Sequence, residues 1–293
     1  MKSMRVPFYI AIGVALLGVI LGSFLDLSLS NAIANTSNTF GLIISVIGPT
    51  IGFSGFAFLG GGFIAFAIKQ EQKVYLKVMF YLAAAIALGV AIYYAGREYF
   101  SINGFYQAAP NFVGFIIAGV CACGALVGGY FAFRKCENPN AWIALLIVYV
   151  VFLIALMGAV NSIKSFMHRP RYRIVVDGNV PYHEWWDRCS EYKEYMATYG
   201  YTKEQFKSFP SGHTTEASMI MVIAAFLPLA DPRMKKVQLP LFIGAGAFTL
   251  LVGFARILVG AHFLSDISMG ALLDLLVAMI ANEVAIHLKW LHQ

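Results

Sequence analysis

The sequence predicts an all-α fold, a polytopic bundle of membrane-spanning helices, from three observations. Hydrophobic residues fill 59% of the 293 positions and charged residues only 12%, about half the share of charge in soluble domains. Mean hydropathy is +0.72. Eight stretches approach the ~20 apolar residues that a helix needs to cross a bilayer. Lipid leaves backbone groups unsatisfied unless they pair within the segment, so these stretches are expected to be helices.

The first stretch, Val6–Leu25 behind Lys2 and Arg5, is longer than a signal-peptide core of roughly 15 residues. It reads as a retained signal anchor, although Ala32-Ile33-Ala34 offers a place for cleavage. The second, Ile51–Ile68, begins after Pro49 and contains Gly60-Gly61-Gly62, so Asn38–Ile47 is expected to form a separate interfacial or re-entrant piece. Six more follow at Val78–Tyr94, Phe112–Phe133, Ala141–Val160, Thr214–Leu229, Leu239–Ala255 and Ile267–Ile286. The expected organisation is two N-terminal helices in residues 1–72 and a six-helix core in residues 73–293, interrupted by an outer loop at 174–208.

An even number of spans puts both termini on one side, and Lys2 and Arg5 favour the cytoplasm. In that arrangement inner loops carry eleven Lys and Arg and outer loops ten; setting aside Lys164, Arg171 and Arg256, which are assigned to chemistry below, leaves eleven against seven. The net charge of +6 is dispersed over short loops, which argues against nucleic acid as a partner and for phospholipid head groups. Cys121 and Cys123 sit inside an apolar stretch, Cys136 in a short basic loop and Cys189 in the long polar loop, so they form no disulfide framework. No cluster of metal ligands is visible, and no cofactor is expected.

Three polar clusters interrupt this pattern on one predicted face. KSFMHRPRYR, Lys164 to Arg173, closes the fifth span, and five of its ten residues are Lys, Arg or His. By itself such a knot is equally a lipid-phosphate anchor. PSGH, Pro210 to His213, opens the sixth span, where Ser211 is a good cap, Gly212 lets a ligand approach, and free amides favour an anion. RILVGAHFLSD carries Arg256, His262 and Asp266; a spacing of four puts His262 and Asp266 on one helical face, where the carboxylate can orient the ring.

Together the clusters resemble the three signature motifs of the type 2 phosphatidic acid phosphatase and vanadium haloperoxidase superfamily: K-x6-R-P, P-S-G-H and S-R-x5-H-x3-D. Tyr172 stands where that pattern has proline, and Ala255 where it has serine. The resemblance implies a metal-independent phosphatase acting on a membrane lipid phosphate or diphosphate. It implies His262 as nucleophile, Asp266 as its orienting partner and His213 as proton donor to the leaving oxygen. Lys164, Arg171, Arg256, Ser211 and Gly212 would hold the phosphoryl oxygens, on the extracytoplasmic face of the cell membrane. A lipid phosphotransferase using the same site, or a lipid-phosphate binding or transport protein without turnover, fits the same residues.

Other polar residues are expected to support. Asn161 lies one turn below Lys164, Glu216 three residues after His213, and Asp274 two turns beyond Asp266. In the outer loop Trp185, Cys189, Tyr192, Met196 and Tyr199 share a helical face, which predicts a short interfacial helix that either floats at the head-group level or gates lipid entry.

Overall fold

The computed structural model describes residues 4–69, 73–106, 112–136 and 139–287, so Lys2 lies outside the described residues. Those residues form helices and connecting turns, with no strand among them. The long helices are α1 (Arg5–Ile33), α2 (Thr39–Lys69), α3 (Val74–Tyr106), α4 (Phe112–Phe133), α5 (Pro139–Met167), α8 (Gly212–Ala230), α9 (Lys235–Leu258) and α10 (Leu264–His287). Between α5 and α8 lie two short helices, α6 (Tyr172–Val175) and α7 (Tyr192–Tyr199). Among the described residues, seven helices, α1 to α5, α9 and α10, contain segments long and apolar enough to cross a membrane.

The sixth expected span is α8, and it occupies the centre of the bundle. It packs against α2, α5, α9 and α10, and its described residues are buried over nearly its whole length. Its first turns carry hydroxyls and charge, which apolar surroundings penalise unless partnered. Thr215 Oγ1 accordingly donates to the Gly270 carbonyl at 3.2 Å, and Ser218 Oγ to the Thr215 carbonyl at 2.8 Å.

The start of the second span differs from the sequence reading. Residues 39–69 form a single helix that runs through Pro49, with no separate re-entrant piece. A proline inside a helix removes one ladder bond, but neighbouring helices and hydroxyl groups can sustain the turn. Here Ser45, Thr50 and Ser54 donate back to the carbonyls of Gly41, Val46 and Thr50 at 2.7–2.8 Å. Packing adds to this: a Cβ at Gly52 would stand 2.1 Å from the Glu216 carbonyl oxygen, so α2 lies directly on α8 at that point.

α1 lies along α10 and is fixed to it at both ends. At one end Arg5 forms an ion pair with Glu283 at 2.5 Å. Near the other, a Cβ at Gly22 would come within 2.6 Å of the Ser265 amide nitrogen, so only glycine permits this approach. α1 also runs past the predicted Leu25 boundary to Ile33, which places Asp26 inside the helix and buries it.

The segment after α5 has a small core of its own, made by Ile174, Val180, Cys189 and Phe206 with Tyr192, Tyr195 and Met196 packed on it. The predicted helical stripe is broken. α7 spans only Tyr192–Tyr199, because the Cys189 amide bonds to the Met167 carbonyl at the end of α5 instead of continuing a helix. Trp185 leaves the stripe altogether: it stacks on Phe209 and donates to Ser23 Oγ of α1 at 2.9 Å.

Candidate active site

The chain folds so that all three polar clusters meet at one end of the bundle. Lys164 sits in the last turn of α5, half-buried, and Arg171 caps α6. Ser211 caps α8, with Gly212 and His213 in its first turn. Arg256 lies in the last turn of α9, His262 in the connection to α10, and Asp266 in the first turn of α10. The position of a Cβ on Gly212 is 3.2 Å from Lys164 Nζ, which joins the first cluster to the second. Arg171 Nη1 donates to the Ala261 carbonyl at 3.4 Å, and the Ala261 and His262 amides donate to the Arg256 carbonyl at 3.0 and 3.2 Å. These contacts join the first cluster to the third. Asn161 is exposed on α5, while Glu216 and Asp274 are buried.

His262 is fully buried, and its Nδ1 lies 2.7 Å from the Ser208 carbonyl oxygen. A carbonyl can only accept, so Nδ1 carries the proton and Nε2 keeps its lone pair. Nε2 has no hydrogen-bond partner among the described residues. Burial dominates the ring's ionisation and, despite Asp266, holds the imidazole well below the ordinary histidine range, with Arg171 and Arg256 pushing the same way. The ring is therefore neutral.

Asp266 stands 3.6 Å from His262 Nδ1, beyond hydrogen-bond length. Its closer partners are Ser208 Oγ at 2.5 Å, the Phe263 amide at 2.8 Å and Arg169 Nη1 at 2.6 Å. The carboxylate thus acts on the ring mainly by holding Ser208 and the start of α10. Ser211 is likewise partly occupied: its amide donates to the Asp266 carbonyl at 2.9 Å and its Oγ accepts from Thr214 Oγ1 at 3.0 Å.

Arg169 is the residue that the motif spacing overlooks. Its side chain is fully buried, and each of its five N–H groups has an acceptor. Nη1 donates to Asp266 Oδ1 and to Ser265 Oγ at 2.8 Å; Nη2 donates to Asp26 Oδ2 at 2.9 Å and to Tyr182 Oη at 3.1 Å; Nε donates to the His183 carbonyl at 2.8 Å. The guanidinium also lies over the Phe263 ring, 4.4 Å from its centroid. Asp26 completes the cage by accepting from the Ser265 amide at 2.8 Å and from the Ser265 hydroxyl. A signal for Asp26 exists in the sequence, where it is the one charged residue between Arg5 and Lys69.

Two further groupings of ligand-capable residues occur among the described residues. Glu98 of α3 joins His213 and Glu216, with ligand-capable atoms within 4.8 Å of one another. Glu98 and Glu216 both act electrostatically on Lys164, so this set has a cation beside it already. The second grouping, His183, Cys189 and Glu191, lies between α6 and α7.

The fold and these side chains define a helical bundle with membrane-length helices and a cationic, two-histidine site at one end. A family model described as the PAP2 superfamily matches residues 143–287, which contain every residue of the three clusters, and the chain belongs to that superfamily. Phosphatidylglycerophosphatase B of Bacillus subtilis (strain 168) is 41% identical over 76 residues. That stretch covers 26% of this chain and 37% of the relative's length. No solved structure matches the chain.

Proposed function

We propose that the chain is an integral membrane phosphatase that hydrolyses a lipid phosphate or diphosphate monoester through a phosphohistidine on His262. The observation that carries this reading is the state of that ring: neutral, held through Nδ1 by the Ser208 carbonyl, with an unpartnered Nε2. Such a ring is a prepared nucleophile.

Nε2 of His262 attacks phosphorus, the bond from phosphorus to the lipid oxygen breaks, and His213, whose imidazolium form the bound phosphate dianion stabilises, gives that oxygen its proton. Water then attacks the phosphohistidine, His213 takes a proton back, and phosphate leaves with His262 restored. Charge in such a transition state spreads over the equatorial oxygens. Lys164, Arg171, Arg256, the Ser211 hydroxyl and the Gly212 amide supply the matching field. Asp266 and Arg169 act through position: they fix the loop that presents Ser208 and His262.

Several features support a lipid as the phosphate carrier. Arrival from the bilayer brings a head group to the mouth of α8, and the relative's name specifies a phospholipid monoester. An apolar cavity of about 960 Å³ runs between α1, α9 and α10, reaching Thr214 and Leu264 beside the site and lined on the way by Leu17, Phe242 and Ile243. A chain of methylenes fits such a lining. The reading places the site on the extracytoplasmic face and requires no metal for the chemistry. Phosphate release by purified protein in detergent tests it on phosphatidylglycerol phosphate, phosphatidic acid and undecaprenyl diphosphate. Release from at least one is expected; binding of all three without release would leave a non-catalytic protein.

A further inference from the structure

We propose that His183, Cys189 and Glu191 form a binding site for a zinc-class divalent cation between α6 and α7. A ring nitrogen of His183, the Cys189 sulfur and a Glu191 carboxylate oxygen lie within 4.8 Å of one another. Imidazole, thiol and carboxylate together suit Zn²⁺, whereas Ca²⁺ and Mg²⁺ prefer oxygen alone.

The surroundings are those of a ligand set. His183 Nδ1 pairs with Asp187 at 2.8 Å, the carboxylate-to-histidine contact that orients a metal-binding ring and raises its basicity. The other nitrogen, Nε2, is buried and has no hydrogen-bond partner among the described residues, a costly state that an ion bound there relieves. Cys189 is a free cysteine with no exposed surface. Glu191 is exposed, and its carboxylate accepts from the neighbouring Ser190 Oγ at 3.0 Å. Tetrahedral zinc needs ligand separations of about 3.3–3.6 Å, given bonds of about 2.0–2.3 Å. Since every pair of donor atoms lies within 4.8 Å, closures of roughly one ångström supply this, with water as fourth ligand.

The position of the site gives it a consequence. The His183 carbonyl accepts from Arg169, and the Cys189 amide is bonded to the end of α5. An ion linking residues 183, 189 and 191 therefore tightens the segment that cages Arg169. This proposal does not depend on the phosphatase reading, and the test needs no turnover.

The test uses the full chain in detergent, stripped with EDTA and titrated with Co²⁺, a spectroscopic substitute for zinc. One equivalent should bind with a thiolate-to-cobalt charge-transfer band that Zn²⁺ abolishes. Cys189→Ser should lose the band. Glu191→Gln, an exposed change that leaves the fold intact, should weaken Co²⁺ binding at least tenfold. The sulfur band also separates this site from Glu98, His213 and Glu216, which contain no thiol. Absence of Co²⁺ binding, binding without the band, a band that survives Cys189→Ser, or wild-type affinity in Glu191→Gln would each overturn the assignment.

Discussion

Replacing Arg169 with Met keeps the bulk of the side chain and removes its charge from between two carboxylates. Asp26 and Asp266 have no exposed side-chain surface, and the guanidinium bonds them at 2.9 and 2.6 Å. Removing one partner of a buried pair costs about 3–5 kcal/mol, because the other charge is left uncompensated. Each carboxylate keeps some donors: Ser265 stays on Asp26, and Ser208 with the Phe263 amide stays on Asp266. The lower part of the range, about 3–4 kcal/mol, is therefore expected, which corresponds to a drop in Tm of about 10 °C for a chain of this size. Adding Asp26→Asn removes one orphaned charge, so the double variant should recover about 1–3 kcal/mol relative to the sum of the singles. Arg169→Lys should recover less, since an ammonium cannot fork between both acids. Thermal unfolding in detergent reads these differences, and kcat reads the effect on His262, with a loss on the order of 10–100-fold from misplacement and little change in KM. A Tm within about 2 °C of wild type, with kcat unchanged, would refute the claim that Arg169 holds the site together.

Three further outcomes follow from the site. Because the folded His262 pKa is depressed, the ring stays neutral below the ordinary value of about 6.5; the acid limb of kcat/KM should lie below that pH, and a limb above it would contradict a neutral nucleophile. The same shift means that the unfolded state binds more protons just below pH ~6.5, so this group's contribution to stability is present above that pH and falls as pH drops towards the folded pKa. His213→Ala should slow lipid substrates far more than an activated aryl phosphate, whose leaving group needs no proton; equal losses would remove His213 from the acid role. Sidedness requires introduced thiols, since Cys136 and Cys189 are both buried: a membrane-impermeant reagent should label Ala197→Cys in intact cells and spare Lys236→Cys, and the reverse would put the site in the cytoplasm.

Hydropathy made the long helices legible because an uninterrupted apolar run has few structural alternatives in lipid. The three clusters were legible for the complementary reason, that histidine and carboxylate at the ends of apolar runs need an explanation. What stayed hidden was long-range pairing. Asp26 meets Ser265 across 239 positions, and Ser208 reaches His262 across 54; neither distance leaves a local pattern. Arg169 was concealed by its neighbours, since five of ten residues there are basic or His and the spacing selects only Lys164 and Arg171. Pro49 misled because its local effect was overridden by packing of α2 on α8 at Gly52. Trp185 and Cys189 misled in the opposite sense: their helical spacing was real, but tertiary bonds to α1 and α5 ended the helix.

The central claim is that His262 carries the phosphoryl group without a metal. Brief incubation of the purified protein with a radiolabelled lipid phosphate in excess EDTA, followed by rapid quenching, measures it directly. An acid-labile phosphoenzyme should form, turnover should continue in the chelator, and both should vanish in His262→Ala. Lipid phosphate hydrolysis that survives in His262→Ala, or activity lost to EDTA and restored by Mg²⁺, would contradict the account.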